Sequence, residues 1–279
     1  MASHKNNKSY KHHTSAQGFT LVEMVTVIIV LGVLVLGVSS FVVLGTRIFV
    51  ESTSVDQVLS QSRFAMERMT RELRNAVPNS IRLTPAPTSV LTYQCVEFVP
   101  IQASASYVDL PISPAAANNT GTVFSPSQGL NVANQMLVYP LLPKHIYSAT
   151  PAGSTGRLFD VDAFDASTGE ITFDNSIQFA EASPIKRYFM ISGAVSYCFQ
   201  SGGELRRYAN YGINANQLTP NSSGVLMAEN VANNIATDKP ILLTPSSLVN
   251  NAILQLRPKF EVVNQKFQYQ HQVQVINVP

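Results

Sequence analysis

At 279 residues, 45% of them hydrophobic, the chain has room for one anchoring helix and one sizeable globular domain, with no sign of a second. Its formal charge of +2 is unevenly placed: the first eighteen residues hold three of the 19 basic residues and none of the 17 acidic ones, which leaves the remainder near −1. That balance offers no basic face for nucleic acid and excludes it as a partner.

Lys5, Lys8 and Lys11, with His4, His12 and His13, open the chain. From Met24 to Thr46 no charge appears, and a span of about twenty residues suffices to cross a hydrocarbon core as a helix. The basic flank predicts a cytoplasmic N-terminus by the positive-inside rule. Glu23 stands at the edge of the apolar run, where an unpaired carboxylate is costly and asks for a partner. A secretory signal has its small-residue cleavage site after the apolar region, whereas Gly18 precedes it, so cleavage there leaves the helix on the mature protein. The plainer reading is an ordinary signal anchor with an accidental Gly-Phe pair.

Gly18-Phe19-Thr20-Leu21-Val22-Glu23 resembles the processing site of type IV prepilins and type II secretion pseudopilins. The resemblance implies cleavage of a basic leader, residues 1–18, between Gly18 and Phe19 by a prepilin peptidase, with N-methylation of Phe19. It gives residues 19–49 as the transmembrane and filament-core half of a long helix, and residues 50–279 as a periplasmic pilin-like domain. A new amine at Phe19 then supplies a counter-charge for Glu23, within one subunit or between neighbours, making Glu23 an assembly contact.

Beyond the apolar run, Val55, Leu59, Ser62, Met66, Met69, Leu73 and Ala76 recur at helical spacing, with Glu67–Arg71 and Arg68–Glu72 as i,i+4 pairs on other faces. The helix is expected to continue to about Val77, where Pro78 stops it, a total of about 85 to 90 Å. Gly32, Gly37 and Gly45 either loosen the span or mark close helix packing.

After Pro78 the reading is of β-structure: Val90–Val99, Gln135–Leu142, Glu170–Phe173, Tyr188–Ile191 and Ala194–Gln200. A hairpin turns at Ser201-Gly202-Gly203 and leads into Glu204–Tyr208. A second runs out along Ile253–Val263, turns at Asn264-Gln265-Lys266 and returns along Phe267–Val278, with Phe267, Tyr269, His271, Val273 and Val275 as its apolar row. Pro111–Asn134, Ser148–Arg157 and Tyr211–Gly224 read as long loops, where any surface specificity should sit. The fold class is α+β, a long N-terminal helix packed on an antiparallel sheet.

Cys95 and Cys198 are the only cysteines, and the topology puts both where disulfides persist. They read as one structural bridge, with two buried thiols as the alternative. Asp160, Asp162 and Asp165 suggest a calcium loop, but Phe164, Asp165 and Ile171 occupy positions where an EF-hand needs an oxygen ligand, a glycine and a closing glutamate. An acidic turn is the better reading, and no metal or other cofactor is expected. Catalysis is not expected either: after leader removal only His145 and His271 remain, His271 lies in a strand's apolar row, and no Gly-x-Ser-x-Gly elbow is present.

The segment Gln61–Ser80 is similar to large minor pilins of the PilW and pseudopilin J kind. Cys95-Val96-Glu97-Phe98, Val195-Ser196-Tyr197-Cys198, Glu204-Leu205-Arg206-Arg207-Tyr208 and His271-Gln272-Val273-Gln274-Val275 resemble biogenesis proteins of the mannose-sensitive haemagglutinin (MSHA) pilus. This resemblance implies a minor subunit at the start or tip of a surface filament used for attachment. Its partners are prepilin peptidase, other major and minor pilins, and an inner-membrane assembly platform with its ATPase. The chain would lie in a bacterial inner membrane before reaching the pilus. The rival readings are a J-type pseudopilin of type II secretion and a membrane-anchored adhesin binding a surface glycan. In the adhesin, Tyr107, Tyr139, Tyr147, Tyr208 and Tyr211 would stack on sugar, although core packing is the simpler role for them.

Overall fold

A computed structural model describes residues 18–84, 92–147, 155–247 and 250–276. The expected leader, apart from Gly18, lies outside the described residues, as does most of the expected loop Ser148–Arg157. The chain divides into two units, residues 1–53 and 54–279.

Helix α1 runs from Leu21 to Arg74 without interruption. In the first unit its residues bury almost nothing, and an 18-residue stretch reaches a mean hydropathy of 3.0, long and apolar enough to cross a membrane. Valine-rich sequence is a modest helix former in water, but in lipid only intra-segment hydrogen bonds satisfy the backbone of a single span. The hydroxyls on this stretch follow the same logic. Thr26 Oγ1 donates to Glu23 O, Ser40 Oγ to Leu36 O and Thr46 Oγ1 to Val42 O, so these three donors are satisfied within the helix. The helix continues through Gly32, Gly37 and Gly45, with open space where each Cβ would stand.

In the second unit α1 buries Val58, Ser62, Ala65, Met66, Met69, Thr70 and Leu73, while Val55 and Leu59, expected on this face, are only half-buried. The helix stops three residues before Val77. Pro78 holds Val77 out of the helical region, and the Val77 amide donates to Val99 O instead. Arg68 pairs with Glu72 as expected; Glu67 and Arg71 form no ion pair among the described residues.

Strands β1 (Arg82–Thr84), β2 (Tyr93–Phe98), β11 (Val195–Gln200), β12 (Leu205–Tyr208) and β13 (Val225–Ala228) form a five-stranded antiparallel sheet in that order. Alternation splits its residues cleanly. Val96, Phe98, Tyr197, Phe199 and Leu205 join Met66, Met69 and Leu73 of α1 in one core, whereas Cys95, Cys198 and Tyr208 form a separate cluster. The β11–β12 hairpin closes where expected, with Gly203 at φ 84 supplying the left-handed residue.

A second sheet of eight strands has its own aromatic core around Phe159, Phe173, Phe179 and Tyr188. Its order is β6 (Thr155–Gly156), β9 (Glu170–Phe179), β4 (Asn118–Val123), β3 (Ala103–Asp109), β10 (Arg187–Ile191), β5 (Gln135–Val138) and β7 (Leu158–Asp160), with β8 (Ala163–Asp165) also on β9. Strand β4 lies inside the expected loop Pro111–Asn134. Its polar residues Asn118, Asn119 and Thr120 take β-geometry because β3 and β9 flank it on both sides, an override of weak local propensity. Strands β6 and β9 pair in parallel, and an isolated parallel bridge joins Ile112 to Phe179 beside them.

The chain ends in a bent hairpin. Strand β14 (Ile241–Thr244) pairs with β15 (Ala252–Leu256), β15 with β18 (His271–Val275), and β16 (Lys259–Val262) with β17 (Gln265–Gln268). The turn is Val263-Asn264, one residue ahead of the expected triplet, and both residues have positive φ, the geometry of a type I′ hairpin. The fold is α+β, a long apolar N-terminal helix and a β-rich domain of antiparallel sheets.

Candidate functional site

Gly18, Phe19 and Thr20 precede α1 in exposed, non-helical backbone, with the Phe19 side chain 78% exposed. Thr20 caps the helix: its Oγ1 accepts from the Glu23 amide at 3.3 Å and its carbonyl accepts from the Met24 amide at 3.2 Å. Thr-x-x-Glu is the sequence order of a capping box, a signal present at positions 20–23 that the reading of Glu23 as a lone membrane carboxylate overlooked. Glu23 sits in the first turn, where unsatisfied amides favour negative charge. It is exposed and forms no ion pair among the described residues.

In the second unit Cys95 and Cys198, 103 positions apart, are joined by a disulfide between directly opposed residues of β2 and β11. Both sulfurs are buried. Alongside them Glu97 is fully buried and receives Arg82 Nη2 at 3.0 Å; burial raises its pKa and Arg82 opposes the rise. On the other face of the sheet Glu72 accepts from Arg68 and from Arg207, tying α1 to β12.

The remaining candidates lie apart from these features. His145 accepts the Leu141 amide at Nδ1, and burial, with Arg157 and Lys144 nearby, lowers its pKa. His271 shares the row of Val273 and Val275 on β18, which are buried, but is itself exposed at the start of that strand, not packed as its place in an apolar row suggested. Asp160 accepts from Gln135 Nε2, and Asp165 accepts from both the amide and the hydroxyl of Ser167, which lower its pKa. Asp162 is exposed, and among the described residues no three acidic, histidine or cysteine side chains are grouped to hold a metal. Tyr107, Tyr147 and Tyr208 are buried, and Tyr139 and Tyr211 half-buried.

The arrangement therefore separates two features: a capped, exposed segment at the head of an apolar helix, and a β-domain closed by one buried disulfide. Comparison of the chain with protein-family models, curated proteins and solved structures gives no significant match in any of the three.

Proposed function

We propose that the chain is a minor pilin of a type IV, MSHA-like pilus, similar to MshO, cleaved between Gly18 and Phe19 by prepilin peptidase and methylated at Phe19. It enters the inner membrane with its N-terminus in the cytoplasm and its β-domain in the periplasm, and an assembly platform then builds it into the start or tip of a filament. Its role is assembly rather than catalysis. The observation that carries this reading is the first part of α1, from Leu21 to Val50, every residue of which is exposed. Apolar surface exposed on that scale needs lipid before assembly and neighbouring helices after it. Within such a bundle the Glu23 carboxylate pairs with the Phe19 amine of its own or an adjacent subunit.

Co-expression with a prepilin peptidase, followed by intact-mass measurement, tests the reading. The mature chain should begin at Phe19 and carry one added methyl group, and Gly18→Val should block the cut. Glu23→Val should be cleaved normally and yet be missing from sheared filaments. An uncut chain in the presence of active peptidase overturns the proposal.

A further inference from the structure

The segment Tyr211–Gly224 contains no strand or helix, although it spans a long connection between β12 and β13. An unstructured stretch of that length inside a compact domain calls for a reason. It is fastened across the face of the five-stranded sheet opposite α1. Tyr211 Oη and Ser196 Oγ are 2.7 Å apart, and Arg82 donates through Nη1 to Ala215 O and through Nη2 to Asn214 O, each at 2.7 Å. Gln217 Nε2 donates to the carbonyl of Cys95 itself, Tyr208 Oη to Asn221 O, and Arg206 Nη1 to Gly224 O. Tyr211 and Leu218 pack on the cluster of Cys95, Cys198 and Tyr208, and neither cysteine retains any exposed surface.

We infer that residues 211–224 form a strap that gates the Cys95–Cys198 disulfide, so that thiols exchange with it only after the strap lifts from the sheet. Exchange begins when a thiolate attacks one sulfur and forms a mixed disulfide, releasing the other cysteine as a thiolate. A dithiol then closes on itself, leaves as its own disulfide, and both cysteines become thiols. The first attack needs access to a sulfur, and the strap occupies that approach. The same geometry orders maturation: the bond between β2 and β11 forms first, and docking of the strap then seals it. This device does not depend on the pilin reading.

The test is native-state reduction of the full chain in detergent by dithiothreitol, followed by quenching with an alkylating reagent and mass measurement. The variants Gln217→Ala and Tyr211→Phe each remove one strap hydrogen bond and leave Arg82 with Glu97. Each should speed reduction by about two- to tenfold, and should lower the urea midpoint by no more than that same loss of one hydrogen bond. The rate in the parent chain should rise only weakly with low urea, as for a local opening, and not with the full urea dependence of unfolding. Reduction that tracks global unfolding overturns the inference. So does an equal reduction rate in the parent and both variants, or a parent disulfide reduced as fast as in the urea-unfolded chain.

Discussion

Glu72 is the joint between α1 and the five-stranded sheet. Its Oε1 accepts from Arg68 Nε at 3.0 Å and its Oε2 from Arg207 Nε at 2.9 Å, with the Glu72 side chain 20% exposed and that of Arg207 18%. Exposed pairs contribute about 0 to 1 kcal/mol, and breaking a fully buried one costs about 3 to 5 kcal/mol. At this intermediate burial Glu72→Ala should destabilise the β-domain by about 2 kcal/mol, a fall of about 4 to 8 °C in Tm for a unit of this size. Burial disfavours the charged carboxylate, but the hydrogen bonds from Arg207 and Arg68 outweigh it and hold its pKa below the usual 4.5. Its contribution is therefore present above pH 4.5 and is lost as the pH falls through the lower folded value. The chain has no tryptophan, so unfolding in urea would be followed by circular dichroism and tyrosine fluorescence. A double-mutant cycle with Arg207→Ala should return a coupling of about 1 kcal/mol or more at neutral pH. Coupling below about 0.5 kcal/mol would refute the assignment.

Two further expectations concern the same domain. Met69 is fully buried between α1 and the sheet, so Met69→Ala should lower stability by about 2 to 5 kcal/mol, read as a shift in urea midpoint at unchanged slope. Burial raises the Glu97 pKa despite Arg82, so its stabilising contribution is complete below pH 4.5 and falls away as the pH rises through the folded value. Glu97→Gln should flatten the pH dependence of stability in that rising range; an unchanged profile would show that Glu97 does not titrate there.

The parts of the fold readable beforehand are those where periodicity and turn chemistry act locally. The apolar run, the α1 stripe of Met66, Met69 and Leu73, and the glycine hairpin after Gln200 need no distant neighbour to be recognised. Strand β3 is built from Ala103-Ser104-Ala105-Ser106 and strand β4 from Asn118-Asn119-Thr120-Gly121, residues with little intrinsic preference for a sheet. Their pairing is dictated by β10 and β9, which lie some eighty and fifty positions away, beyond any local window. His271 keeps the alternation of its row but lies at the exposed start of β18, which periodicity alone does not reveal. The loop Tyr211–Gly224 was legible as irregular but not as anchored, since its partners Arg82 and Cys95 come from the other side of the sequence. At the head of α1, Gly18, Phe19 and Glu23 carry the resemblance to prepilins by themselves, whereas the cap at Thr20 is plain only once the helix start is placed.

Tyr269 sets a clock on this chain. Its hydroxyl receives Ser62 Oγ and donates to Leu59 O, closing a contact across 207 positions, and Leu254, Leu256, Val273 and Val275 complete the core against which α1 rests. At ordinary synthesis rates of about 5 to 20 residues per second, the apolar face of α1 waits about 10 to 40 s for the strands that cover it. During that interval the part of α1 around Leu59 and Ser62 lacks its partner, whereas Met66, Met69 and Leu73 share their core with the earlier strands β2, β11 and β12. A chain truncated before β18 never ends the wait, which makes the last hairpin the step that commits the domain to its folded state.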